Sequence, residues 1–152
     1  MGDTNLKLVI ATARSYNTLF SRIEKQVQEH GLNISEFGVL EYLLHKGKQP
    51  VQKIAEKILV TSGTITYVIN KLEKRNLVRR QVCDKDKRVF YVSLTPEGEE
   101  LITAVFEEHV LFLKNLFGNL EEETKKDIIT NLFALQNSVL SGNEVTTNKQ
   151  ID

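Results

Sequence analysis

Residues Thr61 to Gly98 read TSGTITYVINKLEKRNLVRRQVCDKDKRVFYVSLTPEG, and this stretch decides the fold. Ile65, Val68, Ile69 and Leu72 recur at three- and four-residue spacing and predict a short amphipathic helix. Asn76 sits where that helix ends, a place that often needs the left-handed backbone Asn tolerates. Leu77–Val82 and Val89–Leu94 then alternate as two short strands, with Cys83 to Arg88 between them. A hairpin this small is not stable alone and must lean on the helix before it. Helix, strand, charged tip, strand is the order of a winged helix. The helix can enter a DNA groove while the tip reaches its flank.

Outward from this stretch the chain is helical. Leu6, Val9, Ile10, Ala13, Tyr16, Phe20, Ile23 and Val27 predict a long amphipathic helix over about 4–30, stopped by Gly31. Asn33 and Glu36 read as a capping box opening a second helix, with Phe37, Val39, Leu40, Leu43 and Leu44 inward. Pro50 is expected to open a short third helix, where its missing N–H costs nothing. Thr61 or Ser62 can cap the helix that follows, so the two short helices and their turn make a helix-turn-helix. Thr95-Pro96-Glu97 starts another long helix, and Asn119 to Glu122 reads as a second capping box before a last one ending near Ser141. The polar tail 142–152 is expected to be disordered.

The fold class is therefore mainly α with a small β-hairpin wing, in one domain over 1–141. The helix-turn-helix and its wing are expected to make one winged lobe. The helices at 4–30 and 96–141 carry more apolar face than such a lobe can cover, so they are expected to form a dimerisation lobe. A two-fold homodimer would then set two recognition helices one DNA turn apart, about 34–36 Å.

Basic and acidic residues balance, with 20 of each. The distribution is uneven: residues 71–96 hold 8 basic and 3 acidic side chains, and residues 97–152 hold 4 and 11. A basic patch on a neutral chain suits a polyanion met by one face, or a solvated charged hairpin. The single Cys excludes an intrachain disulfide framework and a Cys-based zinc site. No signal peptide or membrane-length apolar run is visible, and the expected location is cytoplasmic. Neither a phosphate-binding Gly-rich loop nor a nucleophile elbow is present, so no enzyme is expected and no cofactor. The three His are not spaced as metal ligands.

The candidate DNA-contacting residues on the reading helix are Ser62, Thr64, Thr66, Tyr67, Asn70, Lys71 and Lys74. Thr64 and Thr66 suit thymine methyls or acceptors, Asn70 can address adenine, and the lysines suit phosphates. The same residues could equally be a solvated polar face. At the wing, Lys85, Asp86, Lys87 and Arg88 form the tip, with Asp86 placed to aim Arg88 into a narrow minor groove.

Asp86-Lys87-Arg88 followed by Val92-Ser93-Leu94-Thr95-Pro96-Glu97-Gly98 resembles the wing signature of the MarR family of bacterial transcription regulators, Asp-x-Arg then Val-x-Leu-Thr-x-x-Gly. Ile65, Leu72-Glu73, Leu77-Val78 and Arg80 also fit, while Asn76 replaces the usual Gly. The resemblance spans about residues 5–141. It implies a dimer held by the first and last helices and a winged helix-turn-helix DNA-binding lobe over about residues 34–95. TNLKLVIATARS with Gly31-Leu32-Asn33, His45-Lys46-Gly47 and Ser62–Val68 is most similar to the methylhydroquinone-resistance repressors of Firmicutes. That implies repression of quinone-detoxifying genes, relieved by a small aromatic or quinone-like effector. Tyr16, Phe20, His30, Phe37 and Tyr42 are the side chains that could line an effector site between the two lobes; each could also be plain core or surface. Two alternatives stay open: thiol-based redox sensing at Cys83, beside Arg79, Arg80 and Lys85, or a winged-helix module that binds protein rather than DNA.

Overall fold

The computed structural model describes residues 2–58 and 62–142. The expected caps at Thr61 and the Ser62 side chain, and nearly all of the tail from 142 on, lie outside the described residues. The helices are α1 (Thr4–Gln28), α2 (Ile34–Lys46), α3 (Val51–Ile58), α4 (Ser62–Lys74), α5 (Pro96–Leu116) and α6 (Glu122–Ser141). The strands are β1 (Gln49–Pro50), β2 (Val78–Val82) and β3 (Phe90–Leu94). The chain divides into two compact units, one ending at Phe112 and the other starting at Leu113.

The first unit owes its core to the apolar periodicity of its helices. Leu40 and Leu43 of α2, Ile54 of α3, Ile65, Ile69 and Leu72 of α4, and Ile102 and Val105 of α5 are buried together. Val78 and Val92 bring the sheet into the same cluster. Such fully buried aliphatic side chains each contribute about 1.5–3 kcal/mol. At the start of α2 the expected capping box forms. The Glu36 amide donates to Asn33 Oδ1 at 2.8 Å, and the Asn33 amide donates to Glu36 Oε2 at 3.0 Å. Glu36 is nonetheless buried, with Lys71 Nζ at 3.2 Å and Arg75 Nη1 at 3.5 Å, because a carboxylate out of water needs compensating charge. This knot ties the start of α2 to the end of α4.

Pro50 does not open α3. It lies in β1, opposite Tyr91, and α3 starts at Val51. The sheet has the order β1-β3-β2, so Pro50 occupies an edge strand, where a missing N–H costs no ladder bond. The two-stranded hairpin thereby gains a third strand against the helical core.

The second unit holds the end of α5 and α6. Its expected capping box at Asn119 is absent: Glu121 is the N-cap and no side chain caps the helix. The turn closed by the Leu120 amide on the Phe117 carbonyl leaves Asn119 two residues outside the cap position. Glu122 and Glu123 still place negative charge at the positive end of the helix. α6 buries none of its residues, and in α1 only Gln26 and Val27 are buried. Leu6, Val9 and Ile10 on α1, and Ile129, Leu132 and Phe133 on α6, are exposed apolar side chains. Among the described residues no helix is long and apolar enough to cross a membrane.

Candidate nucleic-acid interface

The reading helix α4 sorts its side chains as its periodicity predicts. Ile65, Val68, Ile69 and Leu72 point into the core. Thr64, Thr66, Tyr67 and Lys74 are exposed, and Asn70 is half-buried on the same stripe. Tyr67 leaves 63% of its surface open, far more than a ring needs for packing. Lys71 is partly engaged: besides pairing with Glu36, its ammonium lies 5.8 Å from the centre of the Tyr67 ring. The signal for this pairing was the acidic N3 residue of the capping box, which points at α4 only once the chain has folded.

Asn76 takes the left-handed backbone at φ 57°. The Leu77 amide then reaches back to the Leu72 carbonyl at 3.0 Å, and the chain turns directly into β2. Arg80 on β2 returns to α4. Its Nε donates to Glu73 Oε2 at 3.3 Å, and one terminal nitrogen donates to Glu73 Oε1 and to Asn70 Oδ1. Sequence reading placed Arg80 in a motif but missed this contact, which joins residues on different elements.

At the root of the wing, Thr95 Oγ1 donates to the Asn76 carbonyl at 2.6 Å and accepts the Gly98 amide at 3.0 Å. The Thr95 amide donates to the Leu77 carbonyl at 3.1 Å. Gly98 is buried so tightly that a Cβ there would stand 1.9 Å from the Leu77 carbonyl oxygen. The Thr-x-x-Gly half of the signature thus staples the start of α5 to the end of α4.

The tip behaves differently. The Cys83 amide donates to the Val89 carbonyl at 2.9 Å, closing the hairpin, and the Cys83 side chain is half-buried. Asp86 Oδ1 accepts from the Arg88 amide at 3.0 Å and from its Nε at 3.1 Å, while Oδ2 accepts from a terminal nitrogen at 3.2 Å. The Arg88 guanidinium, and then its amide, hold the Asp86 carboxyl below the usual carboxylate range. The Arg88 side chain is 91% exposed despite this fixation. Lys85 and Lys87 beside it are exposed. A cavity of about 370 Å³ separates tip and helix, with Thr66, Arg80, Arg88 and Phe90 among its lining.

The five effector candidates have different partners. Tyr16 and Phe20 stack on each other along α1, with ring centres 4.5 Å apart. His30 pairs with Glu108 of α5 at 2.9 Å. Phe37 lies 4.8 Å from the ring of His109, and Tyr42 packs on the core. His109, which the sequence did not single out, is buried at the meeting of α1, α2 and α5 and bonds Gln26 Oε1 at 2.8 Å. Burial lowers its pKa. No cluster of three metal-ligating side chains occurs among the described residues.

This arrangement has close counterparts. The MarR family model matches residues 32–90, from the capping box to β3. The HTH-type transcriptional regulator MhqR of Bacillus subtilis is 41% identical over 123 residues, covering 81% of this chain and 85% of that protein. Among solved structures, AbsC of Streptomyces coelicolor, a MarR family transcriptional regulator, superposes with a TM-score of 0.82 at 22% identity, covering 93% of this chain and 97% of AbsC. BpsR of Bordetella bronchiseptica, whose DNA binding is regulated by 6-hydroxynicotinic acid, follows at 0.77 and 21%, covering 86% and 98%. The relatives are transcriptional regulators rather than enzymes. A reading helix, a stapled wing and a fixed cation at its tip, together with a relative of this identity and coverage, place the chain in the MarR family of transcriptional regulators.

Proposed function

We propose that the chain is a homodimeric repressor that binds a pseudo-palindromic operator in double-stranded DNA and is released by a small aromatic or quinone-like compound. The observation that carries this reading is the Arg88 guanidinium, exposed yet held in place by Asp86, at the tip of a wing rooted against the reading helix. An arginine fixed in advance loses little conformational freedom on entering a minor groove. Thr64, Thr66, Tyr67 and Asn70 face the major groove, and Lys74, Lys85 and Lys87 meet phosphates. Lys71 contributes less, because Glu36 holds it. The exposed apolar faces of α1 and α6 support the dimer, since residues such as Leu6, Val9, Leu132 and Phe133 are otherwise wetted.

The similarity to MhqR supports control of quinone and electrophile detoxification genes. The effector enters near His30 and Phe37, where α1, α2 and α5 meet around His109, and shifts the spacing of the reading heads. The test is an electrophoretic shift on the chain's own promoter region at two salt concentrations. Specific binding that weakens steeply with salt is expected; none at any such site would leave the protein-binding module as the reading. A Cys83→Ser chain is expected to release DNA on quinone addition as the native chain does, and failure to release would turn the effector reading into a thiol one.

A further inference from the structure

We infer that Arg80 sets the base preference of Asn70, so that Asn70 reads a guanine edge and not the adenine edge that a free asparagine selects. The inference rests on the DNA-binding reading above. A guanidinium carries only donors, so the atom of Asn70 that meets Arg80 is the amide oxygen. Glu73 fixes that guanidinium from the other side, accepting from the Arg80 amide at 3.2 Å, from Nε at 3.3 Å and from a terminal nitrogen at 3.3 Å. The amide of Asn70 is planar, so the oxygen turned to Arg80 leaves the two N–H groups turned away from it. Asn70 lies on the stripe of α4 that also carries Thr66 and Tyr67.

The consequence follows from the edges that bases show in the major groove. Adenine offers an acceptor, N7, beside a donor, N6–H₂, and the bidentate asparagine pair answers both. With one lone pair of its oxygen taken by a cationic donor, Asn70 is a weaker acceptor for the adenine amino group, while both of its N–H groups stay available. Guanine offers two adjacent acceptors, N7 and O6, which suit a group whose free atoms are donors. Thymine O4 is the next best match. Arg80 is in this sense a positioning residue, acting on DNA through Asn70.

The experiment is a base-preference profile. An operator of the native chain is varied one base pair at a time, and relative affinities are measured for the native chain and for Asn70→Ala, Asn70→Asp and Arg80→Met. Loss of discrimination in Asn70→Ala locates the base pair concerned. There the native chain is expected to favour guanine over adenine roughly tenfold. Arg80→Met frees the oxygen and is expected to move the preference toward adenine, a change that loss of a mere structural prop would not produce. Asn70→Asp keeps the Arg80 contact but turns donors into acceptors, and is expected to favour cytosine, whose N4 donates; if Arg80→Met unfolds, the guanine-over-adenine preference of the native chain decides the matter. Adenine preference in the native chain, an Arg80→Met profile identical to the native one, or no position sensitive to Asn70→Ala would each overturn the inference while leaving the repressor reading intact. Absence of any sequence-selective binding by the native chain would overturn both.

Discussion

The root and the tip of the wing belong to one short signature, yet they are built on opposite principles. At the root, Thr95 and Gly98 are buried, and the Thr95 hydroxyl and amide reach the Asn76 and Leu77 carbonyls across a chain reversal. At the tip, the side chains of Asp86 and Arg88 pair only two residues apart, with Arg88 in solvent and Asp86 half-buried. The root has long-range contacts and no exposed chemistry. The tip has exposed chemistry and an ion pair that is local in sequence. A sequence motif can therefore mix residues kept for folding with residues kept for recognition, and only the geometry separates them.

The widest separation between the two should come from Gly98→Ala. The added methyl would overlap the Leu77 carbonyl, and that backbone is fixed by the Thr95 amide. A loss of about 3–5 kcal/mol of stability is expected, in the range of severe overpacking and backbone strain. Urea denaturation of the isolated chain measures it. A loss below about 1 kcal/mol would show that the root can part from α4 without consequence, and the contrast with the tip would collapse.

Arg88→Ala tests the other end. Removing a side chain that is 91% exposed and whose ion pair is with Asp86 should leave the urea midpoint within about 0.5 kcal/mol of the native value. Operator affinity should fall by about 1–3 kcal/mol, and the salt dependence should flatten by about one ion. Unchanged affinity would make the wing a spacer. A large loss of stability would mean that the tip also serves the fold.

The same distinction explains what was legible in the sequence. The Asp86–Arg88 pair could be read directly because its partners are neighbours and the turn brings them together locally. The Asn33–Glu36 capping box was legible for that reason too. The ion pairs that Lys71 and Arg75 make with Glu36, and the Arg80 contact with Asn70, were not, since helix packing creates them across long sequence separations. Pro50 was misplaced because proline fits the first turn of a helix and the edge of a sheet equally well, and only the pairing with Tyr91 decides. Asn119 was misread because a cap depends on one residue of register, and the turn from Phe117 to Leu120 uses that register up.

Titration offers the finest test. Among the described residues, His109 has its pKa lowered by burial and Asp86 by its bonds to Arg88. A buried histidine held neutral binds its proton less readily in the folded chain than in the unfolded one. Below the ordinary histidine value of about 6.5 the unfolded chain takes up the proton first, so stability falls as pH falls, then levels off once the folded chain is protonated as well. His109→Gln should remove that part of the slope between pH 7.5 and 5.5. The effect is expected to be the smallest of the three, read as the difference between two series of urea midpoints; parallel slopes for the native and variant chains would assign His109 no such role. Asp86 titrates below the ordinary carboxylate value of about 3.9, so the aim of Arg88 is constant over the same interval. The buried group should thus move folding with pH while the exposed pair leaves DNA contact at the tip unchanged.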